Sequence, residues 1–172
     1  MATREDWTRA ALAAIADGGV PAVAVDRLKD AVGATRGSFY WHFKDRGELV
    51  EAALALWERE YTTELIPLAE AVPDPRARLR ALFERVYEPR ADPIEVALAK
   101  AADDPLVAPV WARVSEARMG LIHAIFLELG LSEAEADSRT WLAWAFYVGH
   151  HLLDDAPARP ERLGRIVDLL GS

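Results

Sequence analysis

Cysteine is absent from the 172 residues, which excludes disulfides, thiolate chemistry and cysteine-based zinc sites together. Long apolar runs are absent too, since none approaches the roughly 18 residues that a membrane-crossing helix needs. The opening MATREDW holds no apolar signal core, so the chain is expected to be cytoplasmic with no membrane partner. Catalytic signatures are also missing. There is no Gly-rich phosphate loop, no HExxH and no nucleophile elbow, and the scattered carboxylates read as solvated helix faces, so neither an enzyme activity nor a cofactor is expected. Positive charge is in short supply overall, with 20 Lys and Arg against 28 Asp and Glu for a net charge of -8. The deficit is uneven, however. Residues 1–50 hold seven cationic and seven acidic side chains, and the whole excess of acid lies in residues 51–172. An acidic body carrying a neutral, locally basic head is compatible with nucleic-acid binding by the head alone.

What is present is apolar content, 52%, enough to bury the core of one long domain or two small ones. Its spacing is helical nearly throughout. Thr3 and Asp6 form a capping-box-like start, and Trp7, Ala10, Ala11, Ala14 and Ile15 recur at helical spacing until Gly18 and Gly19 stop the run. A short second helix is expected over Val25 to Val32, with Gly33 supplying a left-handed exit. Thr35 then caps a third helix reaching His42. A fourth runs from about Arg46 to about Leu65, where Pro67 ends the pattern.

This layout is a helix-turn-helix, whose second helix enters the DNA major groove. Within it lies ATRGSFYWHFKDRGEL, residues 34–49, with four aromatic rings and three cations between Thr35 and Arg46. Phe39 and Phe43 are four apart, share a face and are expected to pack inward. That leaves Arg36, Gly37, Ser38, Tyr40, Trp41 and His42 on or near the outer faces. Arg36 has the planar fork that bonds guanine N7 and O6, and Gly37 permits close backbone approach. Ser38, Tyr40 and His42 can donate to phosphate oxygens, while Lys44 and Arg46 add charge near the start of the fourth helix.

The stretch from Ala10 to Leu49 resembles the DNA-binding head of TetR-type (tetracycline-repressor-like) transcriptional regulators. The resemblance rests on Ala10-Ala11-Leu12, Gly19, Leu28, Gly33 and the run Thr35 to Leu49. It implies base reading by Arg36 and Gly37, phosphate or groove contact by Ser38, Tyr40, Trp41 and His42 beside Thr35, and phosphate anchoring by Lys44 and Arg46. Two departures stand out: Ala24 replaces the usual Ser or Thr cap of the second helix, and Asp26 stands where Arg is common. Both weaken the expected grip on the DNA backbone.

Beyond the head, helices are expected over Pro75 to Tyr87, Ile94 to Ala102 and Pro105 to Leu129. The last shows a stripe of Leu106, Val110, Val114, Ala117, Leu121, Ile125 and Leu129. Ser132 and Glu135 cap a helix reaching about Leu153, which contains WLAWAFYVG, residues 141–149, with no polar face. A final helix with Pro160 in its first turn carries Leu163, Ile166, Val167 and Leu170, with little left in the chain to cover them. Trp144 and Val148 with those four residues form the expected dimer interface, and these two helices resemble the pair that joins TetR-type dimers as a four-helix bundle. Trp111, Met119, His123, Trp141, Trp144, Tyr147 and His150 offer the aromatic surface and polar tips of a ligand pocket. No metal is expected, because His150 and His151 are adjacent and point different ways.

The combined expectation is an all-α chain: a three-helix helix-turn-helix head over residues 1–48, joined by a long helix to a ligand-binding and dimerising bundle over residues 49–172. Its partners would be a palindromic double-stranded operator, a small apolar or aromatic inducer and a second copy of itself. A helical dimer without DNA binding, suggested by Ala24 and Asp26, and an enzyme with an unrecognised site stay open at this point.

Overall fold

Several helix starts in this protein are set by short oxygen-bearing side chains. In the computed structural model, which describes residues 2–86, 92–152 and 160–171 (backbone alone for 86 and 160–163), α1 (Arg4–Gly18) opens with a full capping box between Thr3 and Asp6. Thr35 accepts from the Ser38 N–H to open α3 (Arg36–His42). Asp45 does the same for Glu48 at the start of α4 (Arg46–Glu58). Each such cap satisfies an amide that the helix cannot. The exits at Gly19 and Gly33 have φ of 72° and 62°, the left-handed region that glycine enters without strain. Between them lie a 3-10 turn, Val20–Ala22, and α2 (Val25–Ala31), whose N-cap Ala24 has no oxygen to offer.

The chain divides by packing into two units, residues 1–61 with 93–113, and residues 62–92 with 114–172. In the first, α1 lies against α4 and against α7 (Pro93–Lys100). Trp7, Ala11, Ile15, Leu49, Ala53, Leu54 and Leu98 are all fully buried there. Trp57 stacks on Trp111 at 6.1 Å and donates to buried Glu95 at 3.1 Å. In the second unit, α5 (Leu65–Glu70) packs on α6 (Pro75–Val86), and α6 packs on α10 (Pro160–Leu170). Its core joins Leu79, Phe83, Ile125, Phe126, Ala136, Ala143, Val167 and Leu170. Arg78 is buried beside that core because both its Nε and Nη2 donate to the Val72 carbonyl while Nη1 meets Glu128 at 2.8 Å. The remaining helices are α8 (Ala108–Glu128) and α9 (Glu133–Leu152), the latter capped by Ser132 and Glu135 as expected. Among the described residues there is no strand, and no helix is long and apolar enough to cross a membrane.

The helix expected to run unbroken to Leu65 does not. It passes through a π turn, Arg59–Thr63, with Thr62 buried, and resumes as α5. Pro67 falls in the first turn of α5 rather than ending a helix, a position where the missing N–H has no intrahelical partner to lose. The stripe on α8 is interrupted as well. Val110, Val114 and Ile125 are buried, but Ala117 is exposed. That helix contributes residues to both units, so one continuous apolar stripe is not required of it. Tyr87 and Leu153, at the expected ends of two helices, lie outside the described residues.

The head's packing rests on Phe39, 1% exposed, which meets Trp7 edge-on at 5.4 Å and stacks with Phe43 at 5.6 Å. Phe39→Ala is expected to lower stability by about 3–5 kcal/mol, read as a shifted midpoint in urea unfolding. A loss below 1 kcal/mol would remove this ring from its place at the centre of the head.

Candidate nucleic-acid interface

One face of α3 is spoken for by Phe39, so the residues a third of a turn and more away must face out. Arg36 and Gly37 are exposed, Ser38 is half-buried, and Tyr40 and Trp41 are 57% and 88% exposed. Two large rings left in water on consecutive positions cost more than a solvated helix face needs. Thr35, also exposed, spends its hydroxyl on the cap. The Arg36 guanidinium reaches across to Asp26 on α2, with Nη2 3.8 Å from Oδ2.

The C-terminal edge of α3 is braced from elsewhere. Arg4 donates to the His42 carbonyl, pairs with Glu48 at 3.2 Å and lies over the Phe43 ring at 4.2 Å. His42 is half-buried, its Nε2 3.1 Å from the Ala2 carbonyl. The Lys44 backbone N–H, and after it the Arg4 guanidinium, hold the Glu48 carboxyl below the usual range. The Lys44 side chain remains exposed. Arg46 is engaged differently from its neighbour. Its Nε donates to the Val23 carbonyl at 2.6 Å and its Nη2 to the Val20 carbonyl, clasping the 3-10 linker.

The residues expected to line a ligand pocket are partly gathered. In the second unit Trp144 stacks on Tyr147 at 5.0 Å, and Tyr147 lies 4.5 Å from the His151 ring, which is followed by His150 at 5.4 Å. Arg118 joins them by donating to the Tyr147 hydroxyl and, through Nε, to Thr62 Oγ1 at 2.9 Å. Met119 is half-buried. The others stand apart: His123 lies beside Glu133 at 3.6 Å, Trp141 is 61% exposed, and Trp111 belongs to the first unit, stacked on Trp57. Of the expected interface residues, Trp144, Val148 and Ile166 are half-buried. Val167 and Leu170 find their cover inside the chain, against the core of Leu79 and Phe83. The Leu163 side chain lies outside the described residues. Among the described residues no cluster of three His, Asp or Glu forms a metal site.

Residues 8–53 match the sequence model for bacterial regulatory proteins of the tetR family. Over 89 residues the chain is 29% identical to the uncharacterized HTH-type transcriptional regulator TtgW of Pseudomonas putida, covering 52% of this chain and 66% of that protein. Over 90 residues it is 32% identical to the HTH-type transcriptional regulator AcrR of Shigella flexneri, covering 50% of this chain and 40% of that protein. The chain therefore spans less than two thirds of the length of these curated relatives. Its fold is similar along 98% of its length to that of reduced NemR from E. coli (TM-score 0.79, 16% identity, 95% of that chain). It is similar over the same share to that of a TetR-family regulator from Rhodococcus sp. (TM-score 0.70, 22% identity, 98% of that chain). The head is thus similar in sequence to that of the tetR family of bacterial regulatory proteins, and the fold is similar to that of a solved TetR-family regulator.

The matched segment ends at position 53, inside α4, and so takes in α3 and the linker that Arg46 clasps. The bracing bonds of three arginines had no signal in the sequence. Arg4 and Arg46 find carbonyl partners more than twenty positions away, and Arg118 finds Tyr147 twenty-nine positions away. Bonds of that span, to carbonyl or hydroxyl oxygens, leave no periodicity to read.

His150 is half-buried, and burial first, then the adjacent His151 charge, holds its pKa below the ordinary 6.5. The unfolded chain thus takes up this proton more readily than the folded one. The stability contributed by the neutral ring is complete above pH 6.5 and is lost as pH falls through the lower folded value. The Tm of the parent should therefore drop between pH 7 and pH 5 by more than that of His150→Gln. An NMR titration placing His150 above 6.5 would reverse the sign and end this account.

Proposed function

We propose that this chain is a DNA-binding transcriptional regulator, of repressor type, that reads a palindromic operator with α3 and releases it on binding a small apolar or aromatic inducer. The observation that carries the proposal is the two-sidedness of α3. Phe39 locks one side into the head, while Arg36, Gly37, Tyr40 and Trp41 stand outward. Arg36 supplies a fork for guanine; Tyr40, Trp41, Ser38 and His42 supply donors and ring edges for the backbone; Lys44 and Arg46 supply charge beside them. In this reading residues 1–48 carry the DNA contacts and residues 49–172 carry inducer binding and dimerisation, in the cytoplasm. The stacked Trp144 and Tyr147, with the Arg118 and His150 tips nearby, support an aromatic inducer with one polar end. Its binding would favour a body conformation in which two heads no longer match two half-sites.

Gel-shift titrations at several salt concentrations test the head. Tyr40→Ala and Lys44→Ala are expected to weaken binding to all duplexes and to flatten its salt dependence, since phosphate contacts release counterions. Arg36→Ala should relax base preference at one position of each half-site, by roughly 1–3 kcal/mol. Titrating hydrophobic aromatic compounds into the same complex, with tryptophan fluorescence as a second readout, should identify compounds that bind and release the DNA. Folded variants that all bind like the parent would defeat the assignment of α3.

A homodimer is supported by apolar side chains left in water on α9 and α10: Trp141, Leu142 at 63% and Leu169 at 73% exposed. Covering each is worth roughly 1.5–3 kcal/mol, and a two-fold partner is the economical cover. Trp141→Glu should give folded monomers in sedimentation, whereas Val167→Glu, placed in the chain's own core, should unfold. A monomeric parent at micromolar concentration would rule the dimer out.

A further inference from the structure

Asp26 is the residue least suited to a surface that meets phosphate. It lies in the first turn of α2, exposed, on the head that Proposed function assigns to DNA. Its charge suits the start of a helix whose N-cap Ala24 makes no side-chain bond, but ion pairing adds little to that. Its only ion pair among the described residues is the 3.8 Å contact with Arg36, in which the side chains are 62% and 63% exposed, and pairs of that kind contribute little to folding. The pairing partner is what distinguishes it. Arg36 is the sole Lys or Arg on α3, and it precedes a glycine, so no large neighbour in the next position fixes its long side chain. A guanidinium that reads guanine with two parallel bonds must be held in one plane and must not be drawn off to the nearest phosphate. A carboxylate meets both needs: its charge, 3.8 Å from one nitrogen of the fork, draws that nitrogen toward α2 and leaves the other donors for N7 and O6, and the same charge discourages the phosphate alternative.

We propose that Asp26 is a positioning residue for sequence selectivity, holding the Arg36 guanidinium for a guanine and trading affinity for all DNA against preference for one base. This rests on α3 reading DNA. The head thereby uses its departure from the common basic residue as a selectivity device, not as a defect.

Selection of binding sites from random duplexes tests it, using the full-length parent, Asp26→Ala, Asp26→Asn, Arg36→Ala and the double variant Asp26→Ala/Arg36→Ala, each confirmed folded by circular dichroism. The parent should select guanine at one position of each half-site. Asp26→Ala should bind random duplex severalfold more tightly yet lose roughly tenfold in guanine preference at that same position. Asp26→Asn, which keeps an acceptor without the charge, should share the gain in random binding and retain part of the preference. The double variant should match Arg36→Ala at that position. Undiminished guanine preference in Asp26→Ala overturns the proposal, as does a loss at a position that Arg36→Ala leaves unchanged. A parent that selects no sequence at all refutes DNA reading itself, an outcome separate from either of these.

Discussion

Burial of Phe39 against Trp7 and Phe43 is the constraint on which the head depends, because it determines the rotation of α3 about its own axis. A seven-residue helix has too few backbone hydrogen bonds to hold itself, so α3 exists where the aromatic cluster puts it. Rotation being set, everything outward follows: Arg36 and Gly37 at one end, Tyr40 and Trp41 at the other, and the short reach from Arg36 to Asp26. The same cluster explains why the helix can afford two exposed rings. Their neighbour's burial supplies the stability that they do not.

Around that cluster the head is fastened by arginines bonding to carbonyl oxygens. Arg4 closes the end of α3 at His42, and Arg46 closes the linker at Val20 and Val23. Guanidinium suits this work because its donors are fixed in a plane and it stays charged. Glu48 balances Arg4, so a cation needed for structure does not add to the field that would face DNA. The distribution of charge on the head is therefore partly consumed internally, and its formal neutrality over residues 1–50 understates how selectively the remaining cations are placed.

Local signals were the legible part. Thr3, Thr35 and Ser132 opened helices where their oxygens reach an amide three residues on, and Gly19 and Gly33 closed them with positive φ. Phe39 and Phe43 were readable from a spacing of four. What escaped depends on distant partners or on backbone register. Pro67 looks like a terminator until the π turn before it shifts the count and makes its position the first turn of a new helix. Val167 and Leu170 look uncovered until α6 brings Leu79 and Phe83 against them. Trp111 belongs with Trp57 for the same reason: spacing shows which residues share a face, and only packing shows what that face meets.

The grip of Arg46 on the linker also bears on how the chain is made. Val20 and Val23 leave the ribosome well before the side chain that their carbonyls bond, and α1 waits longer still for α7, which lies more than seventy positions downstream of it. Residues 1–60 alone are thus a set of helices missing one of their walls, and Trp7, Ala11 and Ile15 have their full enclosure only when the polypeptide around Leu98 arrives. Until α7 has been made, the face of α1 that it covers lacks that cover, and a fragment ending at α4 would lack it altogether.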